Sequence, residues 1–321
     1  MLSNHATRAE TPALQAIVPG VTGWRNVFVN LYYVWPQDQE GAGAPWVLVD
    51  AGLPASADYI HQHAAELFGP DNPPQAIILT HGHFDHVSAL PDLLQAWPDV
   101  QVYAHRLELP YLNGRSSYPP PDPTVGGGGM ATMSFLYPKK PLDLGSRVEA
   151  LPDDGSVPFL PDWQWLHTPG HTPGHVSFFR EGDRTLLAGD AFTTVKGESM
   201  LATWTQKQEV HGPPAYFTPD WEAARTSVER LARLAPEVAA TGHGIAMLGD
   251  ELRQQLQDLV ENFRQKAVPA HGRYVKQPAV ADASGVLSVP PPVVSSWVKV
   301  LLVAGVVGAV VALTRRREQQ E

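Results

Sequence analysis

The chain has 321 residues, 43% hydrophobic and 17% charged, enough to bury a core and too apolar for global disorder. Its 23 Lys+Arg against 33 Asp+Glu leave a net charge of −10 with His neutral, which argues against nucleic acid as a partner. There are no cysteines, so disulfides and thiolate ligands are excluded and any metal site must be built from His and carboxylate.

The N-terminus, MLSNHATRAETPALQAIVPG, has no apolar stretch flanked by basic residues, and no signal peptide is expected. Short strands are expected at AIVPGV and VFVNLYYV, and at WVLVD ending on Asp50. A helix follows, roughly Ala55 to Leu67. The strand AIILT leads into THGHFDH, a helix is expected over Val87 to Ala96, and QVYAH reads as another strand. Residues 107–142 contain PPPDP and GGGG and read as a long irregular loop, of the kind that serves as a lid or stays disordered. Strands return at WQWLHT, HVSFFRE and RTLLAGD, the last two joined by a turn at Gly182-Asp183. Two helices, Pro219 to Leu234 and Gly249 to Lys266, flank EVAATGHG. Two βαβ-like halves, around Asp50–His105 and Trp163–His243, suggest a layered α/β fold.

Beyond a polar, Pro-rich segment over 267–292, expected to be a linker, the chain reads VVSSWVKVLLVAGVVGAVVALTRRREQQE. Val293 to Leu313 spans 21 residues, enough to cross a bilayer, so a single transmembrane helix is expected over 293–314 with a short charged tail over 315–321. Lys299 can snorkel and Trp297 suits the interface. A buried terminal helix packed on the domain is the plain alternative. Arg315, Arg316 and Arg317 favour a cytoplasmic C-terminus, but the domain carries no export signal. Tail-anchored insertion needs none, so the expected location is a membrane, with the catalytic domain cytoplasmic. Ala304, Gly308 and Ala312 form a small-xxx-small row that permits helix pairing and a homo-oligomer.

The chemistry centres on THGHFDH. Imidazole and carboxylate suit Zn²⁺ and other borderline first-row metals. His81 and His83 are two apart and would project to one side of an extended chain, and a tight turn brings Asp85 and His86 to a second position. A helix-capping Asp among surface histidines is the plain alternative. Three further places count against it. His171 lies in the Pro/Gly turn of HTPGHTPGHVS, and Asp190 ends the apolar strand of LLAGDAF, where an unpaired carboxylate is costly. His243 lies in the Gly-flanked turn of ATGHG.

With these residues in place, the sequence resembles the metallo-β-lactamase superfamily of metallohydrolases over about Val18 to Lys266. The wording TPGHTPGH looks most like the glyoxalase-II-type hydrolases within it. The resemblance implies a catalytic domain over 1–266 folded as a four-layer αββα sandwich, with a two-metal site at one edge. It implies that His81, His83 and His171 hold one metal, that Asp85, His86 and His243 hold the second, and that Asp190 bridges them. Asp50 in LVDAGLP is implied to be structural, hydrogen-bonding near the metal loop. The cofactor implied is zinc, two ions per chain, with iron as the alternative.

The activity implied is hydrolysis of an ester, thioester, lactone or related bond in a small-molecule substrate by a two-metal-bridged hydroxide, with Asp85 orienting it and taking its proton. Lactamase or phosphodiesterase activity on the same site stays open, as one scaffold hosts many reactions. So does a mononuclear iron enzyme similar to the persulfide dioxygenases, with His81, His171 and Asp190 as its ligands. A membrane-tethered, non-catalytic binding module is the third class.

His175 is expected to be a buried, hydrogen-bonded strand residue, not a ligand, and His167 and His105 have no matched role. His61, His63, His211 and His271 are expected at the surface. Tyr111, Tyr118, Tyr137, Tyr216, Phe217 and Trp204 are candidates to line a substrate pocket. Lys139, Lys140 and Lys196 are candidates to meet an anionic substrate, with solvated surface as the plainer reading.

Overall fold

Side-chain alternation along the strands divides the apolar residues into three layers, seen in a computed structural model of the chain that describes residues 13–293. The first sheet contains β1 (Gln15–Val18), β2 (Val21–Asn26), β3 (Val29–Val34), β4 (Val47–Val49), β5 (Ala76–Ile78), β6 (Gln101–Ala104) and β7 (Val148–Ala150). Its strands lie side by side in chain order. The pairs from β1 to β4 are antiparallel and those from β4 to β7 parallel. The second sheet contains β8 (Ser156–Val157), β9 (Leu160–His167), β10 (Val176–Arg180), β11 (Thr185–Gly189), β12 (Val238–Thr241) and β13 (Met247–Leu248), again in consecutive order. Only β11 and β12 pair in parallel there.

Val47 and Val49 of β4 and Ala76 and Ile78 of β5 face Val176, Phe178, Leu187 and Ala240 of the second sheet in one shared core. The residues between them point the other way. Leu48 and Ile77 pack with Ile60, Phe68, Leu90 and Leu93 of the helices Ala57–Phe68 and Leu90–Ala96. Phe179, Leu186 and Ala239 pack with Val228, Leu231, Leu252 and Leu256 of the helices Trp221–Arg233 and Gly249–Glu261. A period of two in strands buried on both faces thus produces the expected αββα sandwich.

Several elements differ from the sequence reading. VTGWRN forms β2, although its polar Arg25 and Asn26 and its glycine hide the strand pattern. The expected helix from Val87 begins at Leu90, after a separate helical turn over Phe84–Val87. The 107–142 segment is not structureless: it holds the short helices Leu109–Leu112 and Gly129–Met133. His63 is buried, not at the surface, with its ring edge-on to Trp24 at 5.0 Å. The segment expected as a linker is hydrogen-bonded to the domain. Tyr274 is buried and donates to the Pro120 carbonyl at 2.6 Å, and Ala279 N–H donates to the Pro219 carbonyl at 3.1 Å. The hairpin of β14 (Val280–Asp282) and β15 (Gly285–Ser288) follows, with Val286 N–H donating to Ser116 Oγ at 3.1 Å.

The expected membrane-spanning helix is corrected. No helix among the described residues is long and apolar enough to cross a membrane. The longest, Trp221–Arg233 and Gly249–Glu261, have 13 residues each, about 20 Å against a hydrocarbon core of about 30 Å, and one face of each is polar. Residues 294–314 of the expected span lie outside the described residues. The fold class is therefore the sandwich without that helix, and the single-pass membrane location that rested on it is withdrawn.

Phe178 is 2% exposed between the sheets. Phe178→Ala is expected to lower unfolding free energy by about 3–5 kcal/mol, measured by denaturant titration.

Candidate metal centre

The strands β9, β11 and β12 run in one direction, as do β4 and β5, and each ends by delivering a polar side chain to the same place. Asp50 follows β4, His81 and His83 follow β5, and Asp85 and His86 sit on the helical turn Phe84–Val87. His171 lies beyond β9, Asp190 follows β11 and His243 lies beyond β12. All eight are buried, at 7% exposure or less. The structure brings together these eight residues named from the sequence, whereas the pocket candidates Trp204, 88% exposed, and Lys196 do not line the cavity beside His83.

The ligand atoms form three overlapping groups: His81, His83 and His171; His81, His86 and Asp190; and Asp85, His86 and His243. Within each group the atoms lie within 4.8 Å of one another. In the first group, His83 Nδ1 stands 3.0 Å from His81 Nε2 and 2.9 Å from His171 Nε2. Asp190 Oδ2 stands 3.4 Å from His171 Nε2, 3.7 Å from His86 Nε2 and 3.1 Å from His243 Nε2. Asp85 Oδ2 stands 3.5 Å from His243 Nε2 and 4.0 Å from His86 Nε2.

The outward ring nitrogens fix the tautomers. Thr80 Oγ1 donates to Asp50 Oδ2 at 2.8 Å and accepts from His81 Nδ1 at 3.0 Å, which leaves His81 Nε2 with a lone pair facing inward. His86 Nδ1 donates to Asp50 Oδ2 at 2.9 Å, and His243 Nδ1 donates to the Phe28 carbonyl at 2.8 Å. Asp50 also accepts from Thr80 N–H at 2.8 Å, and its φ of 63° places it in the left-handed region. Asp tolerates that region better than most residues, and there its carboxylate reaches under the β5 loop.

Burial pushes the imidazoles of His81 and His171 well below their ordinary range and His83 to about 3, so these rings stay neutral. Around His86, burial opposes a proton but Asp50, Asp190 and Asp85 outweigh it and hold the ring well above its usual value. Burial likewise opposes ionisation of Asp190, yet His243 and His86 hold its carboxyl well below the ordinary range. His86 Nε2 and Asp190 Oδ1 are buried without hydrogen-bond partners. Such atoms are costly unless an ion uses them. Converging lone pairs, a buried carboxylate between them and orphaned donor atoms fit metal cations.

His175 is buried and sits outside the cluster of ligand atoms. Its Nε2 accepts from Asp190 N–H at 2.8 Å and its Nδ1 contacts Thr168 Oγ1 at 2.9 Å, so it sets the backbone of Asp190. Sequence reasoning missed Asn30, whose amide donates to the carbonyls of Thr241 at 2.9 Å and Gly244 at 2.7 Å and holds the His243 loop to the first sheet. It also missed Glu108, which falls in the 107–142 segment expected to be an irregular loop but is 0% exposed. Neither lies in a His/Asp pattern, and no sequence signal marks either.

Residues 24–243 match the family described as Metallo-beta-lactamase superfamily. The protein named Probable metallo-hydrolase YflN from Bacillus subtilis (strain 168) is 49% identical over 244 residues, 76% of this chain and 91% of that one. A Hydroxyacylglutathione hydrolase from Xylella fastidiosa (strain M23) is 31% identical over 137 residues, 41% of this chain and 38% of that one. A solved beta-lactamase domain protein from Burkholderia ambifaria shares the fold with a TM-score of 0.52 at 19% identity, over 81% of this chain and 77% of that one. The family match spans the metal-loop residues from Asp50 to His243, and the chain belongs to the metallo-beta-lactamase superfamily as a metallo-hydrolase.

Proposed function

We propose that the chain hydrolyses an ester, thioester, lactone or related acyl bond with two zinc ions. His81, His83 and His171 would hold one, Asp85, His86 and His243 the other, and Asp190 would serve both. The observation that carries this reading is the position of Asp190 Oδ2, within 3.4 Å of His171 on one side and 3.1 Å of His243 on the other. The donor set of imidazole and carboxylate without thiolate suits zinc, and the complete second group supports two ions over a single-iron centre.

When bound, such a pair supplies Lewis acidity toward a substrate oxygen and an acidic water at neutral pH. The protein's part is placement. Asp85, buried beside His243, would orient that water and accept its proton. Phe217 stacks on His83 at 4.4 Å and Tyr118 covers it at 4.6 Å, keeping bulk solvent off that ring. Beside His83 opens a cavity of about 410 Å³ lined by Phe84, Val87, Tyr111, Tyr118, Leu142 and Phe217, with Lys139 and Lys140 also on its wall. Its lining suits an apolar acyl group. Most of that wall comes from the 107–142 segment. The hydroxyacylglutathione hydrolase matches over only 38% of its own length, so glutathione recognition is not carried over with the site.

Elemental analysis of the purified protein is expected to give two zinc ions per chain, and a screen over thioesters, lactones and phosphodiesters to find turnover on an acyl substrate that chelator abolishes. One iron per chain with oxygen consumption would overturn this reading. Asp85→Asn is expected to lower kcat by about 10²–10⁴-fold in a protein that still melts cooperatively. Asp50→Asn weakens the support of His86 and His81, and metal titration against a competing chelator should show affinity reduced about 10–100-fold.

A further inference from the structure

Four hydrogen-bond donors from three separate segments converge on Glu108. Its Oε1 accepts from Thr172 Oγ1 at 2.8 Å and from Gly174 N–H at 2.8 Å. Its Oε2 accepts from Gly82 N–H at 3.0 Å and from the Tyr118 hydroxyl. Gly82 lies between His81 and His83, and Thr172 and Gly174 follow His171. One carboxylate therefore holds both loops that supply the first histidine group. No donor to Glu108 comes from the Asp85–His86 turn or from the His243 loop.

The two glycines are explained by the same contact. A Cβ on Gly174 would stand 2.8 Å from Glu108 N and 2.8 Å from Glu108 Oε1, and a Cβ on Gly82 would stand 2.6 Å from the Tyr118 hydroxyl. Neither glycine has a backbone conformation that demands glycine, so both are required for space. Four neutral donors and full burial describe a carboxylate whose lone pairs are all used, which ties its donors into one network.

We propose that Glu108 is a positioning residue of the metal centre: its carboxylate clamps the His81–His83 loop to the His171 loop and so sets the spacing of that histidine group. Its consequence for metal binding rests on the two-ion reading above, whereas the clamp itself does not. Removing it lets the two loops drift apart and weakens one ion site while leaving the other, built from Asp85, His86 and His243, intact. A ligand group loosened in this way typically loses about 10–100-fold in metal affinity.

The test uses the full chain with Glu108→Gln, Gly174→Ala and Tyr118→Phe. In metal-free protein, hydrogen exchange of the amides at residues 81–83 and at Thr172 and Gly174 is expected to accelerate together in Glu108→Gln, with those at 241–244 unchanged. Zn²⁺ titration against a competing chelator is expected to show one of two sites weakened 10–100-fold and the other within about twofold of the parent. Gly174→Ala should give the same selective loss, and its combination with Glu108→Gln should add little more, as expected for two changes in one contact. Tyr118→Phe, which removes one donor and keeps the ring, should show the same pattern in smaller measure. Equal weakening of both sites in step with a lower Tm, or unchanged exchange in either loop, overturns the clamp. If the parent binds no zinc, the two-ion reading falls, and the exchange data alone still decide whether Glu108 joins the loops.

Discussion

The structure is organised around buried carboxylates whose ion-pair partners, among the described residues, are all histidines. Asp50, Asp85 and Asp190 make their ion pairs with His86, His171 and His243, and none pairs with a lysine or arginine. Anions in a low-dielectric interior are tolerated only when compensated, and imidazoles compensate only by taking up protons. The protein has thus arranged negative charge and lone pairs where a small cation is the missing complement. The hydrogen bonds around this cluster orient it, with the far nitrogens of His81, His86 and His243 tied to Thr80, Asp50 and Phe28.

This explains why the supporting residues are as specific as the cluster itself. Asp50 adopts a left-handed backbone to reach two ring-bearing segments, and His175 spends both ring nitrogens on backbone placement of Asp190 and on Thr168. Each support is polar, buried and satisfied within the fold. A half-satisfied network of this size would be worse than an apolar core.

The cluster was legible in the sequence because its members occupy short motifs at strand ends, where side-chain type and local spacing carry the information. The layered fold was legible from apolar strands separated by helical stretches. What could not be read depends on contacts between distant segments. Glu108 meets Gly82 and Gly174 across 26 and 66 residues, and Asn30 meets Gly244 across 214. His63 reads as a helix-surface residue until Trp24 is folded over it. The 267–292 segment is polar and Pro-rich, yet Tyr274 within it is buried. The membrane-spanning reading rested on the length and apolarity of 293–313 with Trp297 and Lys299 near one end, and the described helices, short and amphipathic, give it no support.

The order of strands has a further consequence. Each sheet follows the chain without interleaving: the first is complete by Ala150 and the second begins at Ser156. Each half can therefore form largely from contacts near in sequence. The first half carries Asp50, His81, His83, Asp85 and His86, the second carries His171, Asp190 and His243, and all three trios draw on both. His81 and His86 lie in the first half and Asp190 in the second, while His81, His83 and His171 are split two to one, as are Asp85, His86 and His243; the centre lacks any trio from a single half. Any ion seated there fastens the two halves of the sandwich to each other, and its binding free energy adds to the cohesion of their shared core.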